Sequence, residues 1–169
     1  ILTCDNGIAA FEEIAYANEL GMAVIVTDHH EVPFLEEEGI KKEVIPDGVA
    51  VIDSKQKKCR YTFKELCGAG VAYQFLAALE NVSKITLSLT QYLPYVAIAT
   101  VCDVVSLTGE NRILVKEGMK ELMHHQDAGL SALMNVSGID YKNLKSYHLG
   151  FVIGPCLNAG GRLETAKRG

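Results

Sequence analysis

Two short apolar runs, each stopping at an aspartate, constrain this chain more than any other feature. Ile1-Leu2-Thr3-Cys4 stops at Asp5, and Met22 to Thr27 (MAVIVT) stops at Asp28. Between them, Ile8 to Leu20 is rich in Ala, Glu and Leu, and Ile8, Phe11, Ile14, Ala15 and Ala17 fit one face of a helix. Gly21 stands where a helix commonly ends in a left-handed residue. Buried strand, helix and buried strand make a β-α-β unit, whose strands run parallel with a right-handed crossover. Parallel strands deliver their carboxyl ends to one edge of the sheet, where open α/β folds bind ligands. Asp5 and the triplet Asp28-His29-His30 are therefore expected to be neighbours in space.

Val49 to Asp53 (VAVID) reads as a third strand, and Ser54 to Thr62 as a polar, basic loop. Val32 to Gly48, charged and punctuated by Pro33, Gly39, Pro46 and Gly48, predicts a loop with irregular turns. Beyond residue 65 the alternation of strand and helix stops. Helices are expected over about 69–80, 86–105, 110–124 and 130–136. The fold class is thus α/β, a parallel sheet with flanking helices followed by a mainly helical portion. One domain is expected over 1–169, with an α/β layer in 1–65 and the helical portion in 66–169.

The chain has 169 residues, 49% of them apolar, enough to bury a core. Trp is absent and aromatics are scarce, which argues against a base-stacking module. The formal net charge of −5 is unlike that of a pure nucleic-acid-binding domain. It is compatible with a metal nuclease, whose carboxylates hold the cations that meet the phosphate. The five cysteines are odd in number and lack C-x-x-C spacing, so neither a zinc knuckle nor a disulfide framework is expected. They read as buried, reduced thiols of a cytoplasmic protein. No apolar run is long enough for a membrane span. The chain opens in an apolar run without an initiator Met and reads as a piece of a longer protein.

Carboxylate and imidazole facing each other across a strand-end crevice make a natural divalent-metal site. A single Asp at a strand end is ordinarily a turn or cap residue. Three titratable residues in a row after an apolar strand, Asp28-His29-His30, are harder to explain structurally. Asp103 is the one carboxylate in the apolar stretch Ile98–Val105, where an ionised side chain must be paired, hydrogen-bonded or metal-bound, or else sit at an exposed helix end. Gly109-Glu110-Asn111-Arg112 reads as a capped helix start. Gly154-Pro155-Cys156-Leu157-Asn158-Ala159-Gly160-Gly161-Arg162 reads as a small-residue loop whose N–H groups could approach an anion beside a clamping Arg, or as a plain turn. Gly68 and Gly70 precede a helix and permit close packing or phosphate approach. Tyr73 breaks the G-x-G-x-x-G spacing, which disfavours a dinucleotide-binding oxidoreductase.

Taken together, these groups resemble the DHH phosphoesterase superfamily and, within it, the RecJ exonucleases. Asp5 is similar to the family's second motif, Asp28-His29-His30 is the triplet that names the family, and Asp103 is similar to the fourth motif. The stretches LCGAGVAYQ, TVCDVVSLTGENRILVKEG and GPCLNAGGRL resemble the longer RecJ pattern. The resemblance implies a 5′-to-3′ exonuclease on single-stranded DNA in recombination and repair, using Mn²⁺ or Mg²⁺ in a two-metal site. It points to single-strand-binding protein and helicase as further partners. It implies Asp5, His29 and Asp103 as metal ligands, and His30 as a ligand or a phosphate-facing residue. Asp28 would fix a His ring, and Asn158, Gly160 and Arg162 would lie at the substrate phosphates, with Arg162 also offsetting transition-state charge.

The family's first motif, a paired-aspartate D-x-D, does not occur ahead of Asp5, and Cys156 stands where members often carry Arg. The expectation is therefore an incomplete active site and little or no activity in these residues alone. Two alternatives remain: a small-substrate DHH phosphatase acting on nano-oligonucleotides or cyclic dinucleotides, and a non-catalytic scaffold module for replication complexes.

Overall fold

The structure, a computed structural model, describes residues 1–124 and 127–163, with the side chains of 161–163 outside that description. The chain divides into two compact units, Ile1–Leu87 and Ser88–Gly169.

The first unit is the β-α-β core. Ile1 to Asp5 runs parallel to strand β1 (Ile25–Asp28), through the N–H of Ile25 donating to the Ile1 carbonyl, Thr3 to Ile25 and Asp5 to Thr27 at 2.9–3.1 Å. On its other edge β1 pairs in parallel with β4 (Ala50–Asp53), in a register that sets Asp28 opposite Asp53. The expected three parallel strands are thus present, with the N-terminal one reduced to its hydrogen bonds and a single bridge. The crossover helix α1 (Phe11–Glu19) begins later than predicted and carries Glu12 and Glu13 at its dipole-positive end. Gly21 ends it with φ +74. Ile14 and Ala17 of α1 close on Val24 and Val26 to form the core, whereas Ala15 is exposed. Helix α2 (Gly68–Ser83) packs on β1 and β4.

The loop expected over Val32–Gly48 contains a hairpin instead. Strands β2 (Phe34–Glu37) and β3 (Ile40–Glu43) pair antiparallel, and Glu38 (φ 52) and Gly39 (φ 77) form a two-residue turn with both φ positive, the geometry that matches hairpin twist. Glu36 faces Lys41 across the pair, and Lys41 Nζ lies 4.2 Å from the Phe34 ring centroid. β2 is exposed along its whole length. These strands therefore carry no alternating apolar face, and cross-strand charge hides them from a hydrophobic-pattern reading.

The second unit is helical. The single helix expected over 86–105 is split into a 3₁₀ turn (Leu89–Tyr92) and α3 (Leu93–Cys102), because Pro94 lacks the N–H that a helix interior requires and fits only in a first turn. Helix α4 (Gly109–His124) lies against α3, and a side chain on Gly118 would collide with the Leu93 carbonyl and the Ala97 methyl. Helix α5 (Ala128–Val136) is capped by Asp127, whose Oδ1 accepts the Leu130 N–H at 2.8 Å. A short helix α6 (Ser146–His148) leads into a π-helical turn (Leu149–Ile153) and then α7 (Gly154–Leu163). Leu149 and Ile153 join Ala97, Ile98, Val115 and Met134 in the core.

The small-residue loop expected over Gly154–Arg162 is thus helical, and most of its N–H groups are committed to the helix rather than available to an anion. None of the five cysteines is in a disulfide, as expected, but only Cys67 is buried, while Cys4, Cys102 and Cys156 are exposed. Among the described residues no helix is long and apolar enough to cross a membrane.

Candidate metal centre at the strand ends

The first unit brings Asp5, His29 and His30 together: one ligand atom from each lies within 4.8 Å of the others. His29 Nε2 is 3.0 Å from Asp5 Oδ1, with the imidazole largely enclosed and the carboxylate half-exposed. Asp5 holds this place at φ +65, a left-handed conformation that Asp tolerates better than most residues but which costs on the order of 1–3 kcal/mol. A Cβ on Gly68, the first residue of α2, would collide with the backbone and carboxylate of Asp5. The bare glycine is what lets the helix start approach the strand end.

Asp28 lies behind the triplet, 1% exposed. Its Oδ2 accepts the Ile8 N–H at 2.9 Å, and its Oδ1 accepts the N–H of His29 at 2.8 Å and lies 2.7 Å from His30 Nδ1. Burial alone would push this carboxyl up. The hydrogen bonds from Ile8, the His30 ring and the N–H groups of His29 and His30 outweigh it and hold Asp28 below the usual carboxylate value. A carboxylate on Nδ1 fixes that nitrogen as the donor and makes Nε2 the acceptor nitrogen of the His30 ring. One carboxylate oxygen and two imidazole nitrogens, oriented by a buried acid, suit a divalent cation of the Mn²⁺ or Mg²⁺ kind.

Sequence reasoning missed Asp53. It ends the third strand as Asp5 and Asp28 follow the other two, so the repeated pattern of apolar strand then acid was the available signal. Asp53 is 2% exposed; Oδ1 accepts the Lys55 N–H at 2.7 Å, while Oδ2 is buried and accepts no hydrogen bond from a described residue. Burial pushes this carboxyl up, against the lowering effect of the Lys55 N–H, and the charge of Asp28 adds to the rise.

The other expected site residues lie in the second unit. Asp103 is the exposed C-cap of α3, and the next residue, Val104, is strained at φ 57. Asn158 is exposed on α7, Gly160 is half-buried, and Arg162 falls in the last turn of that helix with its side chain outside the described residues. Asn111, unremarked beyond a helix start, is fully buried and donates to the Ser106 carbonyl at 2.9 Å, which pins the loop ahead of α4.

Residues 1–100 match the sequence profile of the DHH family, N-terminal domain. The chain belongs to the DHH family. Its DHH triplet is the one at the centre described above. The chain is 40% identical over 166 residues to the single-stranded-DNA-specific exonuclease RecJ of Bacillus subtilis (98% of this chain, 19% of that protein). It is 35% identical over 180 residues to that of Escherichia coli (100% and 30%). Among solved structures it is similar to a RecJ exonuclease bound to manganese, with a TM-score of 0.78 at 33% identity (98% of this chain, 39% of that one). It is also similar to Thermus thermophilus RecJ in complex with Mn²⁺, with a TM-score of 0.77 at 32% identity (98% and 23%). The parallel sheet with flanking helices and a helical portion is the architecture expected of this DHH chain. The chain spans between about a fifth and a third of the curated relatives named here.

Proposed function

We propose that this chain carries part of the metal centre of a single-strand-specific DNA exonuclease, one that hydrolyses phosphodiesters from 5′ to 3′ in recombination and repair. The observation that carries the reading is the convergence of Asp5, His29 and His30 on one point, with buried Asp28 orienting the His30 ring. Its context is a chain at least 33% identical, over nearly its whole length, to proteins named single-stranded-DNA-specific exonuclease RecJ. Neither the small-substrate phosphatase nor the scaffold alternative is favoured by these relatives.

Bound Mn²⁺ or Mg²⁺ would lower the pKa of a coordinated water and polarise the scissile phosphate. Asp5, His29 and His30 would hold the cation, and Asp28 would keep the His30 ring in the tautomer whose Nε2 carries the lone pair a metal needs. Asp103 is proposed as a further ligand, and Asn158, Gly160 and Arg162 as phosphate-contacting positions, on the motif resemblance. No Ser, Cys or Lys nucleophile paired with a base is present at the described centre, so direct attack by water is the reaction proposed. The 169 residues are read as one partial DHH catalytic domain with little turnover of their own.

A segment exchange tests this. The chain is placed in Bacillus subtilis RecJ in exchange for the segment it matches, and digestion of 5′-labelled single-stranded DNA is measured with Mn²⁺. The hybrid should release mononucleotides, and His29→Ala in it should abolish turnover while leaving strand affinity nearly intact. Full turnover with His29→Ala would refute the assignment.

A further inference from the structure

The second unit holds two aromatic rings outside its core. In the π-helical turn Leu149–Ile153, Leu149 and Ile153 are fully buried and join the core. Two glycines seat this segment on α3: a side chain on Gly150 would lie 3.1 Å from Val101 Cγ1, and one on Gly154 2.5 Å from Cys102 Sγ. The turn is thereby fixed beside the end of α3, whose C-cap is Asp103. Tyr147 and Phe151 are also four positions apart, but out of phase with the buried pair, and both are exposed. Their rings stack, 5.2 Å between centroids and 19° between planes, and the His148 ring meets Tyr147 edge-on at 5.8 Å. Phe151 spends one face on Tyr147 and is still 72% exposed, so its other face stands in water. An open aromatic face is apolar area left unburied, and π-helical turns recur at functional sites.

The charge of the surrounding sequence selects the occupant. Residues 141–163 contain Lys142, Lys145 and Arg162 and no acid, in a chain of net charge −5. Lys142 and Lys145 are exposed. Asp140, just ahead, has its carboxylate committed to the Lys142 N–H at 3.0 Å and the Asn143 amide at 2.6 Å. An open π face within a cationic, acid-free segment is the complement of a polyanion with uncovered rings, which is a single-stranded nucleic acid. We infer that Phe151, backed by Tyr147, is a stacking platform for one base of the single strand. The inference rests on the nucleic-acid reading above but not on the metal centre, which belongs to the first unit. Bases inside a duplex are covered on both faces by their neighbours, so this contact favours a single strand. Every base has a π face, so the platform responds to stacking strength rather than to hydrogen-bonding pattern.

The test is metal-free binding to the 169-residue chain, in chelator, of labelled (dA)6 and of an abasic strand with the same number of phosphates, by fluorescence anisotropy. The expected result is about tenfold tighter binding of (dA)6, a difference that Phe151→Ala should erase while leaving the abasic strand's affinity unchanged. Phe151→Leu keeps an apolar side chain without a π face and should lose as much as Phe151→Ala. Phe151→Trp should keep the difference. Because the chain has no Trp of its own, the indole introduced there reports contact directly: (dA)6 should quench its fluorescence and the abasic strand should not. Lys145→Glu should weaken both strands alike. Equal binding of the two strands by the unsubstituted chain, binding of neither, or (dA)6 affinity unchanged in folded Phe151→Ala would overturn the inference. So would self-association that Phe151→Ala abolishes and (dA)6 does not displace, read by sedimentation velocity, which would mark a second copy of the chain as the occupant. His29→Ala should leave the (dA)6 preference intact, so failure of the nuclease assignment and failure of this platform are read separately.

Discussion

Gly68 and Asp5 occupy adjoining space so closely that any side chain on Gly68 would strike the Asp5 backbone. Asp5 is already strained at φ +65, so it has no easy retreat. Gly68→Ala should leave α2 intact, since Ala is the better helix former, yet displace the Asp5 carboxylate from His29. Mn²⁺ affinity by calorimetry should fall by about tenfold or more, as for loss of a group that orients a metal ligand, with the helical circular dichroism unchanged. Unchanged affinity would mean that Asp5 is not held by this contact.

Asp28 should govern both His30 and the acid response of the fold. Its folded-state value lies below the unfolded one, so its stabilisation is present above the ordinary carboxylate range and is lost as pH falls through the folded value. Asp28→Asn keeps one acceptor oxygen where four donors converge. It should cost about 1–3 kcal/mol at neutral pH and flatten the loss of melting temperature on acidification below about pH 4. Melting curves across the acid range check this.

Asp53 should behave in the opposite sense. Its folded-state value is raised, so the folded state keeps its proton longer and stability falls as pH rises from the unfolded value through the folded one. At neutral pH the ionised, buried carboxylate is a net cost. Asp53→Asn should therefore raise the melting temperature at pH 7, on the order of 2–4 °C for about 1 kcal/mol, with the gain shrinking as pH falls through the raised folded-state value towards about 4. A lower melting temperature at pH 7 would contradict this.

The sequence showed the parallel strands and the joint placement of Asp5, His29 and His30, because apolar runs ending in acids need only topology to bring those ends together. Three features were hidden for physical reasons. The hairpin over Phe34–Glu43 buries no alternating face and is joined by a Glu-Gly turn rather than Asn-Gly. The helix over Gly154–Leu163 carries four residues, three glycines and a proline, that local propensity assigns to turns, and tertiary packing overrides it: a side chain on Gly154 would lie 2.5 Å from Cys102 Sγ. Asp53 went unnoticed because a strand-end acid is usually a turn residue, and only its burial with Oδ2 unpartnered among the described residues sets it apart.

Packing in the second unit is tested at Gly118. Its absent side chain is what allows α4 to reach the Leu93 carbonyl and Ala97 of α3. Gly118→Val should destabilise by about 1–3 kcal/mol or more through overpacking, read from denaturant unfolding of the second transition if the two units unfold separately and of the whole if they do not.

The central claim is that Asp5, His29 and His30 bind one divalent cation. Mn²⁺ titration of the 169-residue chain, followed by loss of the free-ion electron paramagnetic resonance signal, tests it most directly. Saturable binding should weaken at least tenfold in each of Asp5→Ala, His29→Ala and His30→Ala, with folding intact. Binding of equal strength in the chain and in all three variants would contradict it.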